Sequence, residues 1–214
     1  MRFDVWRRRD WIAALLAGAG AAAVRAAGRP AVILVVGDSL SAEYGLKRGT
    51  GWVALLQQRL AKQKIPAQVV NASISGDTTS GGRTRLPALL AQHKPTHVIL
   101  ELGANDALRG LPLASTEDNL AWMTQAAQKA GARVLLVGMQ VPPNYGSDYT
   151  RRFAAVFADV AKRYKTGLVP FLLAGVADAP DARALFQADG IHPRAEAHPR
   201  ILDNVWPELR KQLK

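Results

Sequence analysis

Ser39 stands where an apolar run breaks off. The stretch VVGDSLSAEYG, residues 35–45, opens with two β-branched residues and then places a glycine, an acid and a hydroxyl in succession. A hydroxyl is a poor nucleophile until a base takes its proton. An imidazole can do so near neutral pH, and a carboxylate on its second nitrogen fixes the tautomer and stabilises the imidazolium. Asp189 and His192 offer that pair three residues apart, with Gly190 permitting a tight turn and Pro193 starting the next element. An oxyanion that develops during acyl transfer also needs donors. The backbone N–H of Ser39, the N–H of Gly76 and the side-chain amide of Asn105 are the candidates, glycine at 76 suiting a backbone that approaches a ligand closely. Asp38 reads as a loop-holder that accepts backbone N–H bonds. His93, His97 and His198 have no acid at suggestive spacing and read as structural.

These residues need a frame. Ala31–Val36 is a continuous apolar run, as in a strand covered on both faces. Trp52, Leu55, Leu56 and Leu60 repeat at helical spacing. Further strands are expected at Gln68–Asn71, His97–Leu102, Arg133–Gly138 and Leu168–Leu172. Between them the pattern predicts helices over Thr84–Gln92, from a Ser115 or Thr116 cap to Lys129, and over Asp148–Lys165. A closing helix after His192 carries Ile201, Val205 and Leu209, with Pro199 and Pro207 near its start or at a kink.

Five strands joined by helices make an α/β fold, a mainly parallel five-stranded sheet between two helical layers. Ligands of such sheets bind beyond the carboxyl ends of the strands. Gly37-Asp38-Ser39, Ser75-Gly76-Asp77, Gly103-Ala104-Asn105-Asp106 and Asp189-Gly190-Ile191-His192-Pro193 all fall there.

The same four blocks, GDSLS, NASISGDT (71–78), GANDALRG (103–110) and DGIHP (189–193), resemble the GDSL, or SGNH, hydrolases. The likeness runs from about residue 31 to the C-terminus and extends to RLPALL (85–90) and PPNYG (142–146). It is nearest to the bacterial periplasmic thioesterase, lysophospholipase and arylesterase members. The resemblance implies a three-layer α/β/α, flavodoxin-like sandwich. It implies Ser39 as nucleophile, Asp189 and His192 as its partners, and Gly76 and Asn105 in the oxyanion hole. It also implies an acyl groove flanked by Ala107–Pro112 and the loop 141–146, where Leu108, Leu111, Val141 and Tyr145 could form an apolar wall. Val141 replaces a leucine common in the family and could alter chain-length preference. No G-x-S-x-G elbow supports the other common serine-hydrolase fold. The expected activity is hydrolysis of acyl esters and thioesters through an acyl-Ser39 intermediate, with no cofactor and no metal. A carbohydrate O-deacetylase on the same scaffold and a non-catalytic lipid-binding envelope protein are the alternatives.

Composition sets the outer limits. There are no cysteines, which excludes disulfides and thiolate chemistry. Arg7, Arg8 and Arg9 precede an apolar run from Ile12 to Val24, shorter than the roughly 20 residues that span a bilayer. Residues 1–26 therefore read as a signal peptide, by the general or the twin-arginine route, and 27–214 as the hydrolase domain. Cleavage near Ala26–Ala27 would remove five arginines and two aspartates, lowering the net charge from +11 to +8. The basic residues are scattered, so nucleic acid is not an expected partner. A small acyl substrate, a peripheral contact with anionic lipid, a monomeric state and a periplasmic or secreted location are expected.

Overall fold

The computed structural model describes residues 30–214; the expected leader lies outside the described residues. Five strands form one parallel sheet: β1 (Ala31–Gly37), β2 (Ala67–Asn71), β3 (His97–Glu101), β4 (Arg133–Val137) and β5 (Gly167–Val169), in the order β2-β1-β3-β4-β5. Their residues are Val-, Ile- and Leu-rich without alternation because helices cover both faces. Ile33 to Val36 and Val98 to Leu100 are wholly buried.

One face carries α1 (Trp52–Lys62) and α7 (His198–Gln212). The other carries α2 (Thr79–His93), α4 (Leu113–Lys129) and α5 (Ser147–Tyr164). The helical spacing read in the sequence is the buried stripe: Trp52, Leu56 and Leu60 on α1, Phe153, Val156, Phe157 and Val160 on α5, and Ile201, Val205 and Leu209 on α7. Phe153 and Phe157 pack edge to face at 5.4 Å. Pro199 sits in the first turn of α7, and Pro207 lies inside it.

The departures from expectation are instructive. α2 starts five residues earlier than the apolar pattern suggests, capped by Thr78, whose side chain accepts the Gly81 N–H. Its first turns are glycines and polar residues because Gly82 packs against Leu102; any Cβ there would collide. α4 starts at Leu113 after Pro112, with no side-chain cap. Thr116, expected as a possible cap, is buried and turns its hydroxyl to Asp106 instead. β5 is three residues long rather than five. Two short helices, α3 (Ala104–Leu108) and α6 (Ala182–Leu185), lack the length for a periodic signal.

The register positions the site. Gly37 pairs with Glu101 and Val35 with Asn71, so the loops after β1, β2 and β3 leave neighbouring strand ends together. Chain direction across the sheet reverses between β1 and β3, the switch point at which open α/β sheets bind ligands.

Candidate active site

The segment after α6 folds back on itself as a short hairpin. Phe186 and Pro193 form an antiparallel bridge, and the Gln187 N–H donates to the His192 carbonyl at 2.8 Å. Gly190 takes φ +68° at its tip. Asp189 is thereby turned onto its own loop: one oxygen accepts the N–H groups of Ile191 (2.9 Å) and His192 (3.0 Å), and the other accepts His192 Nδ1–H at 2.7 Å. The N–H and ring bonds from His192, then the Ile191 N–H, pull its carboxyl down to about 2. A carboxylate on Nδ1 can only accept, which leaves Nε2 as the acceptor. Ser39 Oγ–H donates to it at 2.9 Å across 153 residues of sequence. The Tyr44 ring packs against the imidazole with centroids 4.3 Å apart. The nucleophile–base–acid line read from residue types is therefore present as geometry.

The opposite side of Ser39 is assembled from farther away. Asp38 Oδ1 accepts the Leu40 N–H at 3.0 Å, the loop-holding bond expected of it. Its other oxygen accepts the Asn105 side-chain amide at 2.9 Å. One amide hydrogen of Asn105 is thus fixed, and the second is directed by that anchor. Burial pushes the Asp38 carboxyl up to about 6, against the lowering effect of the Leu40 N–H. Gly76 occupies the third position of a turn from Ile74 to Asp77, with φ +78°, a conformation that favours glycine. Its carbonyl accepts Arg109 Nη2–H at 2.7 Å.

Four supporting residues have no role that the sequence assigns: Glu101 lies outside the site blocks, and Arg85, Asp106 and Arg109 lie within them. Arg85 lies behind the Gly76 turn and donates to Asp77 at 2.8 Å, to the Gly37 carbonyl at 3.3 Å and to the Ala72 carbonyl. Its guanidinium joins the ends of β1 and β2. Asp106 is buried beside Asn105; it accepts the Thr79 N–H at 2.9 Å as well as the Thr79 and Thr116 hydroxyls. Glu101 is fully buried under the Ser39 loop, where it accepts the Ser41 hydroxyl at 2.6 Å and the Asp38 N–H at 3.4 Å. Burial, and then the nearby Asp38, raise its carboxyl well above the ordinary range. A Cβ at position 37 would lie 2.7 Å from Glu101 Oε2 and 2.8 Å from Ser41 Oγ, so the space beside Glu101 dictates Gly37. The signal for Glu101 is visible in HVILEL: an acid inside an otherwise apolar strand has to be partnered or neutral. Arg85, Asp106 and Arg109 give no such signal.

A cavity of about 1090 Å³ opens beside Ser39, His192 and Asn105. Its walls include Leu108, Met139, Val141, Phe171 and Phe186, with Arg183 and Arg194 among the polar residues. That volume lies just above the roughly 300–1,000 Å³ typical of small-molecule sites. Of the expected groove residues, Leu108 and Val141 line it; Leu111 and Tyr145 stand outside the lining, exposed. Gly76 is also outside the lining. His97 bonds Thr96 and the Gln212 carbonyl, and His198 Nδ1 accepts the Trp52 N–H at 2.9 Å, the structural roles read for both.

The chain is similar to known proteins in sequence and fold. The profile of the GDSL-like lipase/acylhydrolase family matches residues 35–200. An esterase TesA of Pseudomonas aeruginosa is 55% identical over 181 residues, 85% of this chain and 89% of the relative. The thioesterase 1/protease 1/lysophospholipase L1 of Escherichia coli is 43% identical, covering 83% of each chain. Among solved structures, the psychrotrophic esterase EstA from Pseudoalteromonas sp., inhibited by monoethylphosphonate, superposes with a TM-score of 0.80 at 40% identity, over 85% of this chain and 98% of that one. The chain belongs to the GDSL-like lipase/acylhydrolase family, the SGNH hydrolases.

Proposed function

We propose that this enzyme is a serine esterase that hydrolyses carboxylic esters and thioesters of acyl chains through an acyl-Ser39 intermediate. The observation that carries the reading is the Ser39 Oγ–His192 Nε2 bond of 2.9 Å backed by Asp189 at 2.7 Å. In acylation His192 Nε2 takes the Ser39 proton as Oγ bonds to the acyl carbonyl carbon. The tetrahedral oxyanion is met by the N–H of Ser39, the N–H of Gly76 and the free amide hydrogen of Asn105. Collapse breaks the bond to the alkoxide or thiolate, which leaves with the proton held on His192. Water then repeats the cycle against the acyl ester, with His192 again the base and Ser39 Oγ the leaving group. Asp189 holds the imidazole in the required tautomer and stays ionised throughout.

The apolar walls at Leu108, Met139, Val141, Phe171 and Phe186 favour an acyl chain over the acetyl group of a carbohydrate. Esters of phenols, acyl-CoA and lysophospholipid are the substrate classes we infer; relatives named as an arylesterase and as a thioesterase and lysophospholipase support that range. Export with cleavage near Ala26–Ala27, a monomeric enzyme and a peripheral contact with anionic lipid belong to the same proposal. N-terminal sequencing of the secreted protein checks the export. The decisive experiment is Ser39→Ala, expected to lower kcat by ~10⁴-fold or more while the melting temperature holds. A variant keeping more than a tenth of the activity on p-nitrophenyl esters, acyl-CoAs and lysophospholipids would refute the nucleophile.

A further inference from the structure

Six large hydrophobic side chains are exposed among the described residues: Tyr44, Ile74, Leu108, Leu111, Tyr145 and Ile191, with 37–53% of their surface accessible. Singly exposed apolar residues are ordinary. These are not scattered. Tyr44 lies in the loop after β1, Ile74 after β2, Leu108 and Leu111 after β3, Tyr145 after β4 and Ile191 after β5. Every one belongs to the carboxyl end of the sheet, where Ser39 and the cavity mouth are, and none to the opposite end. An apolar patch concentrated in this way marks an interaction surface.

We infer that this rim is a docking surface for anionic phospholipid, seating the cavity mouth on a membrane or micelle. The inference rests on the acyl-hydrolase reading for its purpose. Leu111 and Tyr145 point to the surface rather than the substrate, because both stand outside the cavity lining. Tyrosine favours the headgroup level of a lipid interface, with its ring apolar and its hydroxyl wet.

Charge in the same loops is asymmetric. Asp38 and Asp106 are buried, Glu43 accepts the N–H groups of Gly49 and Gly51, Asp77 pairs with Arg85, and Asp189, though exposed, is engaged by His192. Lys47, Arg48, Arg109, Arg183 and Arg194 are exposed. The exposed carboxylates at this end follow β4 (Asp148, paired with Arg151) and β5 (Asp178, Asp181, Asp189 and Glu196), so the side formed by the β1 and β3 loops is the basic one. Anionic headgroups complement that side, and apolar side chains enter beneath them. No described helix is long and apolar enough to cross a membrane. An acyl chain leaving the lipid would enter the cavity between Leu108 and Ile191 without crossing bulk water.

Sedimentation with large vesicles tests the surface independently of hydrolysis. The purified protein should pellet with vesicles of equal parts phosphatidylcholine and phosphatidylglycerol, and far less with phosphatidylcholine alone. Ile74→Ser and the double variant Lys47→Glu/Arg48→Glu should each weaken that partition about tenfold. Both should retain wild-type turnover of a short, water-soluble ester. Ser39→Ala should bind as wild type does, so loss of activity and loss of docking are read separately. Failure of the wild type to pellet with either vesicle would overturn the inference. So would binding that Ile74→Ser leaves intact and salt abolishes, since overall charge alone would then explain it. A concentration-dependent dimer dispersed by Ile74→Ser, with vesicles unbound, would assign the rim to a second copy of the chain instead.

Discussion

Asp189 finds all three of its donors inside its own loop, at Ile191 and His192, whereas Asn105 is anchored by Asp38, 67 residues away, and Gly76 by Arg109, 33 residues away. The two arms that flank Ser39 solve opposite problems. The acid–base arm is a solvent-exposed hairpin in which donors hold a carboxylate ionised, pulling it down to about 2. The oxyanion arm is a junction of three loops over a buried base, where desolvation pushes Asp38 up to about 6 and raises Glu101 well above its ordinary range. A local arm tolerates change elsewhere in the molecule. A junction fails wherever one of its distant clasps is removed.

Breaking the local arm should have the largest effect. Asp189→Asn leaves the hairpin room to form but presents the wrong partner to Nδ1, so kcat should fall by ~10⁴-fold. Steady-state kinetics and a thermal melt check it; a loss below tenfold would show that the backbone holds His192 without the acid. The junction comes next. Asn105→Ala should lower kcat ~10²–10³-fold with little change in KM if its amide serves the transition state as proposed. Asn105→Asp should be at least as harmful, since it sets a second carboxylate against both Asp38 and the oxyanion. If Asn105 served only a turn, aspartate would preserve activity, and a near-wild-type Asn105→Asp enzyme would show that.

The same contrast explains what the sequence makes legible. The sheet follows from apolar runs such as AVILVV, and the acid–base pair from a three-residue spacing that a single turn can close. Those signals are local. α2 starts early because Gly82 meets Leu102 across the fold, and Thr116 serves Asp106 rather than a helix end. Arg85, Asp106 and Arg109 gain their roles from register and from loops meeting at neighbouring strand ends, which no spacing reports. The exposed positions of Leu111 and Tyr145 depend likewise on how the loops after β3 and β4 stand around the cavity.

Arg85 sharpens the comparison at intermediate size. Its guanidinium serves Gly37, ahead of the nucleophile, together with Ala72 and Asp77, which bracket Gly76. Arg85→Ala removes the bridge and leaves Asp77, largely buried, without its cation. Hydrogen bonds to charged groups contribute about 1.5–3 kcal/mol each, so both stability and kcat should drop, kcat about tenfold. Arg85→Lys keeps the charge but cannot fork, and should recover stability more than turnover. Melts paired with kcat and KM separate the two; a lowered melting temperature with unchanged kcat would make Arg85 a scaffold residue with no hold on the oxyanion arm.

The smallest expected effect is a pH slope in stability, and its sign distinguishes the arms. Asp38 rises from 3.8 to about 6 in the folded protein, so between those values the native state binds its proton more tightly than the unfolded chain. Its contribution is therefore fully present below pH 3.8 and fades as pH rises through about 6. Asp189 runs the other way: its contribution is present above 3.8 and is lost as pH falls toward about 2. His97 and His198, both lowered by burial, cost stability as pH falls below 6.5, which masks Asp38 in the wild type alone. A difference measurement removes them. The stability of the wild type relative to Asp38→Asn should grow as pH drops from about 7 to about 4, by an amount on the order of 1–3 kcal/mol. Over the same window the Asn105 amide exchanges an ionised acceptor for a neutral one, while Asp189 stays ionised. Melting temperatures of both proteins across that range decide it. A constant difference would mean that Asp38 titrates as it does in the unfolded chain, and that burial does not set the character of the oxyanion arm.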